Sequence, residues 1–269
     1  MNVRTALLQG TQLLEQANIS APRLTAEVLL MRAIGQERSW LYAHSTDELI
    51  EVWWIHYGRY LHERMRGKPT QYILGRQEFY GRDFRVTPDV LIPRPETEGL
   101  VEAALAQGGT ILDIGTGSGA ISVTLALETN ARVFATDISC AALAVARENA
   151  RDLQANVALV ACDLGSAFAA ASFDAIVSNP PYVAERDRAK LQAEVRDYEP
   201  ALALFAGDDG LAVYRRLIPE AARLLRPGGW LIMELGDAAG VREMLRDWHS
   251  LEIRDDLAGL PRVVMAVKP

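Results

Sequence analysis

Apolar residues recur every three or four positions through residues 1–65, and this spacing predicts helices there. The recurring positions are Leu7, Leu8, Leu13 and Leu14, followed by Ala26, Leu29, Leu30 and Ala33. Ser20-Ala21-Pro22 is typical of a helix start, since proline is favoured at the first helical position. Four aromatic residues continue the helical spacing, and we interpret them as core or inter-domain packing. They are Trp53, Trp54, Tyr57 and Tyr60.

Glycine and proline interrupt the chain repeatedly between Gly67 and Pro95. Two short extended runs, Glu78–Gly81 and Asp83–Val86, lie between these breaks. This pattern predicts a β-hairpin that links two domains.

Strand and helix patterns alternate from about Glu96 to the end of the chain. The predicted strands are 110–114, 132–137, 157–161, 173–178, 230–235 and 262–267, and the predicted helices are 120–128, 139–153 and 211–225. Pro227-Gly228-Gly229 is expected to stop the last of these helices. Such alternation indicates an α/β fold with a parallel sheet covered by helices on both faces.

Composition narrows the class of protein only slightly. The 269 residues are 49% hydrophobic and 23% charged, as expected for a globular protein of one or two domains. The net charge of −7 argues against bare nucleic acid as the main partner, which usually meets a basic face. Cys140 and Cys162 are too few for a disulfide scaffold and lack metal-ligand spacing. Neither a signal peptide nor an 18-residue apolar run is visible, so we expect no membrane span and a cytoplasmic location.

A glycine-rich turn, Asp113–Gly119 (DIGTGSG), follows the first predicted strand of the sheet. Alternating glycines let a backbone approach a ligand closely, and ligands of such sheets bind beyond the carboxyl ends of the strands. The next strand ends at Asp137, whose carboxylate could accept hydrogen bonds from both hydroxyls of a ribose.

Two cofactors are compatible with this turn. Gly115, Gly117 and Ala120 satisfy a loose form of the dinucleotide fingerprint. Asp113 and the third glycine, Gly119, instead favour the form that binds S-adenosylmethionine in class I methyltransferases.

Asn179-Pro180-Pro181-Tyr182 follows another predicted strand and therefore lies at the same edge of the sheet. The Asn179 side-chain oxygen and the Pro180 carbonyl could accept the two N–H groups of a planar amide or amine. Two prolines stiffen the loop, and Tyr182 offers a flat ring. An amide nitrogen is a poor nucleophile, and two aimed acceptors would orient it and take up developing positive charge.

Taken together, these two motifs resemble those of the release-factor glutamine methyltransferases, the PrmC/HemK family. Four other segments resemble the same family, so that the likeness covers the whole chain. They are Ile92–Glu98, Tyr198–Leu204, Gly207–Leu211 and Asp256–Arg262. The resemblance implies a Rossmann-like class I methyltransferase domain over 93–269, preceded by a helical substrate-recognition domain over 1–70 and a β-hairpin linker over 71–92.

The resemblance also implies a reaction and a set of site residues. Members of the family methylate the side-chain amide of the glutamine in the Gly-Gly-Gln motif of class I peptide-chain release factors. The implied S-adenosylmethionine contacts are Gly115, Thr116, Gly117, Ser118, Gly119, Asp137, Asp163, Leu164 and Asn179. The implied substrate contacts are Asn179, Pro180, Pro181 and Tyr182, with Arg94 and Glu96 at the entrance, and the implied catalytic residues are Asn179, Pro180 and Tyr182.

One position departs from the family pattern. Leu164 stands where some members carry tryptophan beside the adenine, so we expect looser adenine contact, with Phe168 as a candidate aromatic substitute.

Two alternative functions stay open at this point. Asn-Pro-Pro-Tyr also occurs in adenine-amino DNA methyltransferases, which would need base flipping and basic backbone contacts. A factor-binding module that holds S-adenosylmethionine only structurally is the non-enzymatic alternative.

Overall fold

The computed structural model describes residues 1–269 and contains two units. The first unit comprises residues 1–75 and 192–198, and the second comprises residues 76–191 and 199–269. The division at residues 70 and 92 that the sequence suggested stays a prediction.

The first unit is helical, as its apolar spacing predicts. Its helices are α1 (Val3–Gln16), α2 (Pro22–Ile34), α3 (Arg38–Ala43), α4 (Glu51–Met65) and α5 (Thr70–Leu74), and the segment 192–198 adds α9 (Ala193–Tyr198). Asn2 caps α1 by accepting the Thr5 N–H, and Pro22 occupies the first position of α2. Tyr57 is fully buried in the unit's core, against which Trp53 and Trp54 pack. The aromatic stripe of α4 therefore serves core packing.

The second unit is built on a seven-stranded sheet and a separate two-stranded hairpin. The hairpin strands are β1 (Arg76–Phe79) and β2 (Arg82–Arg85). The sheet strands are β3 (Thr110–Ile114), β4 (Arg132–Asp137), β5 (Val157–Ala161), β6 (Phe173–Ser178), β7 (Leu225–Glu234), β8 (His249–Asp255) and β9 (Pro261–Val267). Their order across the sheet is β5-β4-β3-β6-β7-β9-β8. The five strands from β5 to β7 are parallel, which confirms the predicted class of fold.

The last part of the sheet differs from the prediction. β9 runs antiparallel to β7 and pairs with β8, a strand that the sequence pattern did not reveal. The turn between them is closed by Asp256, which accepts the N–H groups of Ala258 and Leu260. β7 begins five residues earlier than predicted, because the Pro227–Gly229 segment is absorbed as an irregularity in the pairing of β6 with β7.

Helices cover both faces of the sheet. They are α6 (Glu98–Ala104), α7 (Ala120–Glu128), α8 (Cys140–Asp152), α10 (Ala201–Leu204), α11 (Ala212–Leu224) and α12 (Ala238–Met244). Side chains from alternate positions of β3 enter opposite cores: Ile111 packs with the hairpin, α6 and α7, while Leu112 packs with α11 and α12. This alternation is the period-two pattern of a strand buried on both faces. None of the helices is long and apolar enough to cross a membrane.

Candidate active site

A cavity of about 270 Å³ lies at the edge of the sheet where the parallel strands end. The last residues of β3, β4 and β6, which are Ile114, Asp137 and Ser178, all line it. Every lining residue belongs to the second unit. The position agrees with the rule that ligands of parallel sheets bind beyond the carboxyl ends of the strands.

The three glycines of the turn after β3 have different surroundings. All three have positive φ, at +76° for Gly115, +55° for Gly117 and +82° for Gly119. A Cβ on Gly115 or Gly117 would meet no atom within 4 Å, and both residues line the cavity together with Thr116 and Ser118. A Cβ on Gly119 would lie 3.2 Å from the Ala146 Cβ. Gly119 therefore lets α7 approach α8 and does not line the cavity.

Asp137 is held by backbone donors beside the glycine turn. Its Oδ2 accepts the Gly117 N–H at 2.9 Å, and its Oδ1 accepts the Ser139 N–H at 2.8 Å. Burial raises the pKa of Asp137, while these backbone hydrogen bonds oppose the rise. Each carboxylate oxygen has two lone pairs, so both oxygens can still accept a ligand hydroxyl.

Asp113 supports the glycine turn through a hydrogen bond to Thr116, but it does not line the cavity. Its Oδ2 accepts the Thr116 hydroxyl at 2.6 Å, and its Oδ1 has no hydrogen-bond partner. Complete burial raises the pKa of Asp113 to about 7, although the hydrogen bond from Thr116 opposes the rise.

The far end of the cavity contains Asp163 and Leu164. The Asp163 carboxylate forms an ion pair with the Arg216 guanidinium, and both residues line the cavity. Leu164 also lines it, in a left-handed conformation with φ of +51° that is uncommon for a branched side chain.

Phe168 lies outside the cavity. Its ring packs edge-on against Phe134 and Phe173, with centroids 5.6 and 5.0 Å apart. Because its ring is packed in the core, Phe168 does not substitute for the aromatic residue that is missing at position 164.

Asn179, Pro180 and Pro181 border the cavity on the side of β6. The Asn179 Nδ2 donates to the Thr97 hydroxyl at 3.2 Å. Tyr182 turns away from the cavity: its hydroxyl donates to Glu234 Oε1 at 3.3 Å, and its ring lies against Gly236. Burial, reinforced by the nearby Glu234 carboxylate, raises the pKa of Tyr182 to about 12.

The segment before α6 forms another wall of the cavity. Arg94 lines it, and its guanidinium pairs with Glu199. Glu199 is buried and also accepts the Ile92 N–H at 3.2 Å. Glu96 is exposed and does not line the cavity.

Two residues were not singled out from the sequence: Thr97, which lines the cavity, and Glu234, which lies next to it in the core. Thr97 and Glu234 are both buried, and the Thr97 hydroxyl donates to Glu234 Oε2 at 2.7 Å. Burial raises the pKa of Glu234, while Thr97, Tyr182 and the positive charge of Arg262 oppose the rise. A signal existed for Glu234, since a carboxylate that ends a buried strand lies at the ligand-binding edge of the sheet.

Comparison with known proteins agrees with this architecture. Residues 5–75 match the PrmC N-terminal domain, and residues 96–196 match the methyltransferase small domain. The chain is 44% identical to the release factor glutamine methyltransferase of Koribacter versatilis, over 100% of this chain and 99% of that protein. It is 43% identical to the release factor glutamine methyltransferase of Moorella thermoacetica, over the same shares of the two chains. The chain belongs to the release factor glutamine methyltransferase family.

A solved structure of another methyltransferase shares the fold of this family member. It is a 16S rRNA N2 methyltransferase of Thermus thermophilus in complex with AdoMet and guanosine. The TM-score is 0.55 at 22% identity, with 72% of this chain and 50% of that chain covered. The predicted class I methyltransferase sheet is therefore confirmed, whereas the individual roles of the site residues stay predictions. Because the similarity to release factor glutamine methyltransferases spans the whole chain, the alternative function as a DNA adenine methyltransferase is not favoured.

Proposed function

We propose that this protein transfers a methyl group from S-adenosylmethionine to the side-chain amide nitrogen of the glutamine in the Gly-Gly-Gln motif of class I release factors. One observation carries the proposal: Asn179 and Pro180 line the same cavity as Gly115 and Gly117. The cavity thus combines acceptors for a planar amide with a glycine turn that is open to a ligand. The chain that contains it belongs to the release factor glutamine methyltransferase family.

The residues of the cavity fit S-adenosylmethionine. Gly115 and Gly117 offer backbone that a ligand can approach, since a Cβ on either would point into open space. Asp137 would bind the ribose hydroxyls, and Asp163 and Leu164 would border the adenine. When bound, the cofactor supplies an electrophilic methyl group on a sulfonium sulfur.

Asn179 and Pro180 would orient the glutamine. The Asn179 Oδ1 and the Pro180 carbonyl accept the two N–H groups of the substrate amide, which aims the nitrogen at the methyl group. As the new nitrogen–carbon bond forms, positive charge develops on the nitrogen, and the two acceptors stabilise it. The nitrogen would gain the methyl group as the sulfonium sulfur–methyl bond breaks, with S-adenosylhomocysteine as the leaving group, and would release one proton to water, so no strong base is required before attack.

The other candidate residues would position the substrate around this pair. Pro181 stiffens the loop, and Tyr182 braces it through Glu234 and Gly236 rather than from within the cavity. Arg94, held by Glu199, would meet the polypeptide that carries the glutamine, with the exposed Glu96 beside it.

The helical region over residues 1–70 would recognise the release factor, with residues 71–92 as linker and 93–269 as the catalytic domain. A protein substrate of the translation machinery is consistent with a cytoplasmic location. Neither nucleic acid nor a membrane is required as a partner.

A methyl-transfer assay with labelled S-adenosylmethionine tests the proposal. The acceptors are a class I release factor, its Gly-Gly-Gln→Gly-Gly-Ala variant, duplex DNA and an rRNA fragment. We expect label only on the wild-type factor, with mass spectrometry placing it on the glutamine. Label on DNA or RNA would overturn the assigned substrate, and label on the alanine variant would overturn the assigned atom.

A further inference from the structure

Four side chains from three distant segments of the chain form one hydrogen-bonded group at the wall of the cavity, which Thr97 and Asn179 line. Asn179 donates to Thr97 at 3.2 Å, Thr97 donates to Glu234 at 2.7 Å, and Tyr182 donates to the same carboxylate at 3.3 Å. Thr97 is 4% exposed and Glu234 is 2% exposed, so water does not compete for these hydrogen bonds.

The carboxylate gives this group a direction. The Thr97 hydroxyl donates to Glu234 Oε2, an acceptor oxygen, so the Thr97 hydroxyl proton points at Glu234. The remaining lone pairs of the Thr97 oxygen then receive a donor, and the Asn179 amide supplies one through Nδ2. With Nδ2 committed to Thr97, the Oδ1 atom of Asn179 is the one left for the cavity that this residue lines.

We infer that Thr97 and Glu234 are positioning residues that hold the Asn179 amide in the orientation that presents its oxygen to the substrate nitrogen. The inference rests on the proposed function. In the flipped orientation, Asn179 would present a donor to the donor groups of the substrate amide, and one of the two acceptors would be lost. The hydroxyl and the carboxylate thus decide whether Asn179 can act. Thr97 lines the cavity and Glu234 does not, and both act through the Asn179 amide.

Packing alone does not account for the two polar residues. Valine has nearly the shape of threonine and would fill position 97 without a hydroxyl. A buried carboxylate is costly to desolvate unless hydrogen bonds compensate it, and here Thr97 and Tyr182 supply those hydrogen bonds.

The central test replaces the hydroxyl while keeping the shape. Thr97→Val removes the link between Asn179 and Glu234, Thr97→Ser retains a hydroxyl, and Thr124→Val is the matched control. Thr124 is also buried, but it does not line the cavity, and its hydroxyl bonds to the Ala120 carbonyl within α7. For each protein, kcat and KM with the release factor, affinity for S-adenosylhomocysteine and the side-chain amide NMR signal of Asn179 are measured.

We expect Thr97→Val to lower kcat by about 10–100-fold, the size of losing one hydrogen bond to a charged group. The affinity for S-adenosylhomocysteine should stay within about twofold of the wild-type value, because the substitution affects the orientation of Asn179 during methyl transfer and not the binding of the cofactor. The Asn179 amide signal should shift in Thr97→Val and not in Thr124→Val, and Thr97→Ser should recover most of the lost kcat. Equal kcat values for Thr97→Val and Thr124→Val, or an unmoved amide signal, would overturn the inference.

Glu234→Gln supplies a second test, because it preserves size while allowing position 234 to donate. The expected fall in kcat is about tenfold or more. Because both residues act through Asn179, the double variant with Thr97→Val should lose little more than Thr97→Val alone. Multiplying losses would show two independent effects and contradict the inference. Absence of methyl transfer by the wild-type protein would instead refute the proposed function, so the two failures are distinguishable.

Discussion

Gly236 lies directly against the ring of Tyr182. A Cβ at position 236 would come within 2.6 Å of the Tyr182 Cδ2 and 2.8 Å of its Cγ. Gly236 follows β7 by two residues, whereas Tyr182 follows β6, so the absence of one side chain allows two neighbouring strand ends to meet. The contact fixes the last residue of the Asn-Pro-Pro-Tyr loop.

Gly236→Ala should therefore disturb the loop that carries Asn179. The ring of Tyr182 must move to admit the methyl group, and we expect kcat for methyl transfer to fall by at least about tenfold, since small displacements at a reacting centre are costly. Steady-state kinetics with the release factor measure the change. Gly108→Ala is the control, because position 108 lies in the same unit as Gly236 and a Cβ there meets no atom within 4 Å. Similar activity of the two variants would show that Tyr182 does not need its present position.

Asn179→Ala should abolish one of the two proposed acceptors. By analogy with the loss of one oxyanion-hole contact, kcat should fall by about 10²–10³-fold. Affinity for S-adenosylhomocysteine, measured by calorimetry, should change little, because Gly115, Gly117 and Asp137 remain. Activity near that of the wild type would exclude the proposed role of Asn179.

Asp113 should make the stability of the second unit depend on pH. Burial raises its pKa from 3.8 to about 7, so the folded state binds a proton more tightly than the unfolded chain does. The stabilising contribution is full below pH 3.8 and is lost as the pH rises through 7. Asp113→Asn removes this carboxyl group, so the difference between the two proteins reports its contribution together with its coupling to Asp137.

Urea unfolding of both proteins at pH 5 and pH 8 measures that difference. Between pH 5 and pH 8, the free energy of unfolding of the wild type should fall by roughly 2–3 kcal/mol relative to that of Asp113→Asn. Each pKa unit corresponds to about 1.4 kcal/mol. A difference independent of pH would mean that Asp113 ionises normally in the folded protein.

Tyr57→Phe should not destabilise the helical unit. The Tyr57 hydroxyl is buried without a hydrogen-bond partner, and an unpaired buried hydroxyl costs about 1–3 kcal/mol. Removing it should leave the free energy of unfolding unchanged or raise it by about 1 kcal/mol. Gly10→Ala is the informative contrast, because its methyl group would overlap the same hydroxyl. A clear loss of stability in Tyr57→Phe would show that the hydroxyl has a partner in solution.

Local patterns predicted most of the fold correctly. The helices of residues 1–65 and the parallel strands each follow from a spacing that can be read within a few residues. The antiparallel strand β8 was missed because its pattern is mostly exposed, which leaves no buried alternation to detect. The Pro227–Gly229 segment was interpreted as a break, yet pairing with β6 draws it into β7.

The candidate site was predictable only in part, and Gly119 and Tyr182 show why. Both belong to motifs that indicate ligand contact, yet one packs against Ala146 and the other against Gly236. A motif specifies which residues follow a strand, whereas the direction each side chain takes depends on what packs beside it.

The class of fold and the edge of the sheet where the two motifs meet follow from local patterns along the chain. These features depend on short-range periodicity and on the conformational freedom of glycine and proline, which are properties of neighbouring residues. Thr97 lies 82 residues before Asn179 and Glu234 lies 55 residues after it, and the two join its hydrogen-bonded group only in the folded protein. A buried polar group forms hydrogen bonds with the polar groups that lie next to it in the folded core. For residues so far apart in the chain, the order of the strands in the sheet decides which groups are neighbours.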